Sequence, residues 1–221
     1  KGWLNKLYRD FYGQMKRVKV PRGKKVEMGS GAGFIKEIIP GVITSDVVKA
    51  EGIDMIFFAE RMPFKNGGVT AFYMLNTLHH IKNVEKAFAE MDRCLKSGGK
   101  VVMIEPANTW WSRIIYHFHQ EVFDPGADWR VDGQNRLADS NIALPWIIFV
   151  RDRKRFARLF PGLKVVKVAP QTPFLYLFSG GLSFPQMLPT SLYPILKWLE
   201  ERLDRWRWRL GMFMAIELEK I

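Results

Sequence analysis

The chain has 221 residues, 48% hydrophobic and 25% charged, which is enough apolar material for one sizeable core and too much for a disordered chain. Its single cysteine, Cys94, rules out a disulfide framework within the chain, and the lack of any run of 18 apolar residues argues against a conventional membrane-spanning helix. The net charge of +12 is unevenly spread: residues 1–25 hold nine Lys/Arg against Asp10 alone.

Residues 1–24 read as a basic arm able to wind into a helix, with Trp3, Leu4, Leu7, Tyr8, Phe11 and Met15 on one face, until Pro21-Arg22-Gly23 breaks it. Such an arm attracts phosphate on RNA or on anionic lipid, or it is a solvated leader. It lacks the apolar stretch of a secretory signal, and a lone thiol at a helical position fits a reducing, cytoplasmic compartment. From residue 25 to 221 one domain is expected. Lys25–Met28 reads as a strand that runs into Gly29-Ser30-Gly31-Ala32-Gly33, and residues 34–39 as a short helix stopped by Pro40-Gly41. Further strands are expected at 42–46, 55–58, 69–75 and 100–105, with an amphipathic helix over 82–95 closed by Ser97-Gly98-Gly99. Residues 106–162 mix aromatic and charged side chains and read as an inserted cap. A strand at 163–168 follows, then an uncharged stretch over 168–196, an amphipathic segment over 192–210 and a closing strand over 212–218.

Alternating strands and helices predict an α/β fold: a Rossmann-like, mostly parallel sheet of seven strands with helices on both faces and an aromatic-rich cap and C-terminal elaboration. Such sheets bind ligands at the carboxyl ends of their strands. The chemistry-bearing residues fall there: the glycines, Asp46, Asn76, His79, His80 and Glu105. A turn with glycine at alternate positions lets a ligand approach the backbone, and a carboxylate ending the next strand suits the two hydroxyls of a ribose. Phe34 stands where a dinucleotide fingerprint needs its third glycine, and no Gly-Lys-Ser/Thr of a P-loop is present.

The run Glu27-Met28-Gly29-Ser30-Gly31-Ala32-Gly33 resembles the first motif of class I S-adenosylmethionine (SAM)-dependent methyltransferases. The likeness continues through Asp46, Ala59-Glu60, Asn76-Thr77-Leu78-His79-His80, Leu95-Lys96-Ser97-Gly98-Gly99 and Glu105-Pro106. In order and spacing it is similar to the small-molecule ("type 11") branch and covers roughly residues 25–106. The resemblance implies SAM as cofactor, with Gly29, Ser30, Gly31 and Gly33 around its methionine part, Glu27 supporting the loop and Asp46 on the ribose. Ala59 and Glu60 would flank the adenine, and Asn76 to His79, Leu78 among them, would line the sulfonium side. Two positions depart from the family pattern: Phe58 stands where an Asp usually receives the adenine amino group, and Thr70 where an Asp usually opens the fourth strand.

Methyl transfer needs alignment, and needs a base only where the acceptor keeps its proton. His79 and His80 are the candidate bases and Glu105 a candidate for orienting the acceptor. His117, His119 and Glu121 are candidates for lining the acceptor site; no metal is expected, since these residues and Asp124 have no second ligand group at a known spacing. Tryptophans among arginines after an uncharged stretch, namely Trp198, Trp206 and Trp208, suggest a small or lipid-like acceptor and peripheral contact with a membrane. The expected activity is therefore transfer of a methyl group to an O or C of such an acceptor. The rivals are an RNA methyltransferase, for which nucleic acid would be the partner, and a catalytically silent SAM-fold scaffold.

Overall fold

In the computed structural model, residues 2–31, 34–118, 121–131, 133, 139–181 and 184–221 are described. Seven strands form one sheet in the order β3-β2-β1-β4-β5-β7-β6. They are β1 (Lys25–Met28), β2 (Val42–Asp46), β3 (Met55–Ile56), β4 (Val69–Leu75), β5 (Leu95–Pro106), β6 (Leu163–Gln171) and β7 (Phe213–Lys220). The first five pair in parallel, while β7 runs antiparallel between β5 and β6. The expected mostly parallel, Rossmann-like sheet is present, helices included.

Period-two side-chain alternation explains why the central strands are apolar on both sides. All seven residues of β4 are buried. Phe72 and Met74, with Val101 and Met103 of β5, join the core on one face; Ala71, Tyr73 and Leu75, with Val102 and Ile104, join the core on the other. The first face is covered by α2 (Val84–Cys94), whose Val84, Ala87, Phe88, Met91 and Cys94 recur at helical spacing, and whose first turn is capped by Asn83 accepting from Lys86 N at 3.0 Å. The second is covered by α1 (Gly2–Lys16), which buries Trp3, Leu4, Leu7, Phe11, Tyr12 and Met15. The basic segment is thus a packed layer of the domain and no solvated leader: its lysines and arginines occupy the outer face of a helix whose inner face is core.

Other local expectations are corrected. The helix after Phe34 is a single tight turn, Phe34–Glu37, and the third strand ends at Ile56. Ser97-Gly98-Gly99 does not cap α2, because Leu95 is already extended and opens β5; the glycines bend that strand where its register with β4 shifts. Much of the expected cap is core: after α3 (Trp110–Tyr116), the helical segment α4 (Leu144–Trp146), its wider continuation Ile147–Arg151 and α5 (Arg153–Leu159) bring Ile147, Ile148, Phe149 and Phe156 onto the α2 face. After β6 come α6 (Leu175–Ser179), α7 (Tyr193–Arg202) and α8 (Arg207–Leu210), so the 192–210 segment is broken rather than one helix. Among the described residues, no helix is long and apolar enough to cross a membrane.

Candidate active site

The chain leaves β1 at Met28 and turns at Gly29 (φ +67°) and Gly31 (φ +52°), in the left-handed region that favours glycine. A Cβ on Gly29 would come within 2.5 Å of the Thr77 side chain, whereas one on Gly31 would point into open space. Ser30 is buried and ties the turn to β2: its N–H donates to Ser45 O (2.9 Å) and its Oγ accepts from Ser45 N (3.1 Å). At the end of β2, Asp46 Oδ2 accepts from Gly31 N at 3.0 Å and Oδ1 from Val47 N at 2.7 Å. The carboxylate therefore braces the turn while it faces the cleft. Across the cleft, Asn76 ends β4 with φ +53°, unusual for a residue with a side chain, and its Oδ1 is buried without a hydrogen-bond partner. Strained, unsatisfied groups of this kind collect at binding sites.

Together Met28, Gly29, Asp46, Val47, Phe57, Ala59, Glu60, Asn76, Thr77 and His80 line one open cleft at the carboxyl ends of β1, β2 and β4. Beneath it, burial pushes the Glu27 carboxyl up to about 7; contacts with the Tyr12 and Ser30 hydroxyls oppose the rise, and the Asp46 charge adds to it. Tyr12, from α1, has its own hydroxyl pushed far up by burial and by Glu27. Tyr8, one turn earlier, interacts with the Asn76 side chain.

A second network lies next to the cleft. Glu105, fully buried at the end of β5, uses Oε1 to accept from Thr77 N and Leu78 N, both at 2.8 Å, and Oε2 to engage His79 Nδ1 at 2.8 Å. On the other side of that ring, Glu121 Oε2 lies 3.4 Å from His79 Nε2 and 3.9 Å from His80 Nε2, and accepts from Ser140 Oγ at 2.8 Å. Burial alone would lower the His79 pKa, but the two carboxylates outweigh it and raise it to about 9. His80 moves down, first through burial and then through the adjacent His79 charge. At neutral pH the pair is thus an imidazolium clamped between acids and a neutral imidazole on the cleft wall. His79 and His80 nitrogens and a Glu121 oxygen lie within 4.8 Å of one another, a donor set that a metal ion could use. Two carboxylates against one imidazolium leave this network one negative charge in excess.

The structure brings most of the sequence-derived candidates together and moves some apart. Gly29, Asp46, Ala59, Glu60, Asn76 and His80 line the cleft; Ser30, Gly31 and Glu27 build its turn. The Leu78 side chain is instead in the core, with its N–H donated to Glu105 and its carbonyl accepting from Ile81 N, so it does not line the cofactor side. His79 and Glu105 are buried with their polar atoms engaged, which suits positioning better than contact with an acceptor. Phe57, not the half-exposed Phe58, faces the cleft, and Thr70 is at the opposite end of β4, bonded to Lys24 O. Glu121 joins the histidine pair, but His117 is exposed and packs against Phe118. Gly33 and His119 lie outside the described residues. Sequence reasoning missed Tyr12 and Phe57, and reached Thr77 only as part of the Asn76 to His79 run. Tyr12 stands four residues after Tyr8 and three before Met15, so helical spacing could have placed it on the buried face, whereas the close approach of Thr77 to Gly29 has no local signature.

Residues 26–103 match a family model described as a methyltransferase domain. No curated protein sequence matches the chain. Among solved structures, it is similar to a SAM-dependent methyltransferase from Thermotoga maritima at 17% identity and TM-score 0.61, over 96% of this chain and 89% of that one. A SAM-dependent methyltransferase from Archaeoglobus fulgidus matches at 13% identity and TM-score 0.61, over 97% and 94%. Geranyl diphosphate C-methyltransferase from Streptomyces coelicolor A3(2), crystallised with Mg2+, geranyl diphosphate and S-adenosyl-L-homocysteine, matches at 14% identity and TM-score 0.55, over 99% and 80%. At these identities the likeness concerns the fold.

Proposed function

We propose that the chain is a class I SAM-dependent methyltransferase that transfers a methyl group from SAM to an oxygen or carbon of a small or lipid-like acceptor held beside His80. The observation that carries this reading is the cleft itself: a turn without side chains at Gly29 and Gly31, Asp46 alongside it, and the unsatisfied Asn76 Oδ1 opposite. These groups fit an adenosyl sulfonium. Gly29 to Gly31 would hold its amino-acid part, Asp46 the ribose hydroxyls, and Phe57, Ala59 and Glu60 the adenine.

SAM, when bound, supplies a methyl group on a positively charged sulfur. The chain's own residues then have three tasks. Asp46 and the turn fix the donor, Asn76 and the α1 tyrosines shape the adjoining wall, and His80 accepts a proton from an acceptor that has one to lose. Its lowered pKa leaves it neutral and able to do so near pH 7. His79, Glu105 and Glu121 position His80 and the Thr77–Leu78 backbone rather than touch the acceptor. Isothermal titration tests the cofactor half of the proposal: Asp46→Ala should weaken SAM binding by about 1–3 kcal/mol, the range for lost hydrogen bonds to a charged group. Unchanged affinity would remove the support for the cleft as the SAM site.

A further inference from the structure

The segment that follows the uncharged stretch has its amphipathicity reversed. In α7 the inward positions are polar or mixed: Lys197 Nζ reaches Asp10 of α1 at 2.7 Å, Glu200 accepts from Phe174 N and Leu175 N at 2.5 and 2.6 Å, and Tyr193 is buried. The outward stripe is apolar, with Ile195 56%, Trp198 52% and Leu199 43% exposed at i, i+3 and i+4. A surface helix ordinarily turns such a stripe to the core. The apolar surface continues beyond α7: Met187 and Leu192 before it, and Trp206 and Trp208 after it, are exposed as well.

We infer that this face is a docking surface for an anionic lipid bilayer. The occupant is chosen by charge and by side-chain chemistry. Arg202 stacks on Trp198 with its guanidinium 3.9 Å from the ring, and Arg205 and Arg209 lie 5.7 and 5.1 Å from Trp206. Paired in this way, the indole enters the interface while the guanidinium stays at headgroup depth, where a lipid phosphate can meet it. Lys6 of α1, over the Tyr193 ring at 5.9 Å, adds a cation next to the same helix. Of the local acids, Asp204 is paired with Arg207, and Glu201 is exposed beside Arg202. A net charge of +12 on the chain favours an anionic surface and opposes a second copy of the same molecule. Contact with the bilayer would take place through a ten-residue helix lying flat rather than through a span.

Under the proposed function this face is where a lipid-like acceptor would be met, and its binding to vesicles can be measured without turnover. The full chain is mixed with sedimentable vesicles of phosphatidylcholine alone or with phosphatidylglycerol added, and binding and tryptophan emission are followed. Binding to the anionic vesicles, with a blue shift and weakening as salt is raised, is expected. The triple variant Ile195→Ser, Trp198→Ser, Leu199→Ser should lose on the order of 10-fold in vesicle affinity, since apolar burial supplies part of the binding. Its circular dichroism and SAM affinity should stay unchanged, because the three side chains face solvent. Equal binding to neutral and anionic vesicles, no binding to either, or a concentration-dependent dimer that the triple variant abolishes would each overturn the inference. A variant that loses vesicles but keeps SAM separates this surface from the cleft; loss of SAM binding by the Asp46→Ala protein with vesicle binding intact does the converse.

Discussion

Glu105 holds four partners in place with two oxygens: two backbone N–H groups of the turn after β4, one imidazole and, through that imidazole, Glu121. Removing one side of a buried ion pair leaves the other uncompensated, so Glu105→Gln should cost about 3 kcal/mol in urea unfolding near neutral pH. The pH dependence gives a second check. The His79 pKa rises from 6.5 unfolded to about 9 folded, so its contribution to stability is full below about pH 6.5 and is lost as pH rises through 9. The stability gap between wild type and His79→Gln, measured by urea unfolding, should therefore shrink from about pH 6 to about pH 10; a gap that stays constant would show that the ring is not charged. At this scale the sequence showed which groups stand at strand ends, because glycine spacing and acids after apolar runs are local patterns. It did not show that Glu105 turns under the Thr77 backbone, whereas Asp46 stands at the cleft wall. Both are acids ending a strand, and only the turn that follows β4 distinguishes them.

Charge counts average over the faces of an element, which is why α1 looked like an arm. Its cations lie outside, and its Trp3 is fully buried, donating its indole N–H to Leu175 O at 2.9 Å and meeting the Tyr193 ring edge-on at 5.2 Å. Trp3→Ala should cost about 3–5 kcal/mol of unfolding free energy by chemical denaturation. A cost below about 1 kcal/mol would mean that α1 packs only loosely on the sheet. The 106–162 stretch reads as a cap for a related reason: its charged side chains mask aromatic ones, and Phe149 and Phe156 pack on Phe88 of α2 with ring centroids 5.8 and 5.1 Å away. α2 itself was legible, because its cap residue and apolar spacing both lie within a dozen residues. The break in the 192–210 segment was not, since its polar residues answer to α1 and α6, far away in sequence.

Across the molecule, one sheet separates two apolar cores that share its central strands, so neither core survives loss of the other. Calorimetry should therefore show a single cooperative transition. SAM at about 100 times its dissociation constant should raise its midpoint by roughly 5–10 °C, from about 2.7 kcal/mol of mass-action stabilisation. Two separated transitions would contradict the shared core, and an unmoved midpoint would count against the cofactor. The order of the sheet has a consequence for biosynthesis. β7 follows the other six described strands in the chain yet occupies an inner position, bonded along Lys100–Pro106 on one side and Leu163–Gln171 on the other. Until it arrives, β5 and β6 each present a bare row of amides and carbonyls, the kind of template on which chains aggregate. A polypeptide whose synthesis has not yet reached residue 220 therefore exposes two sticky margins that the arrival of β7 closes.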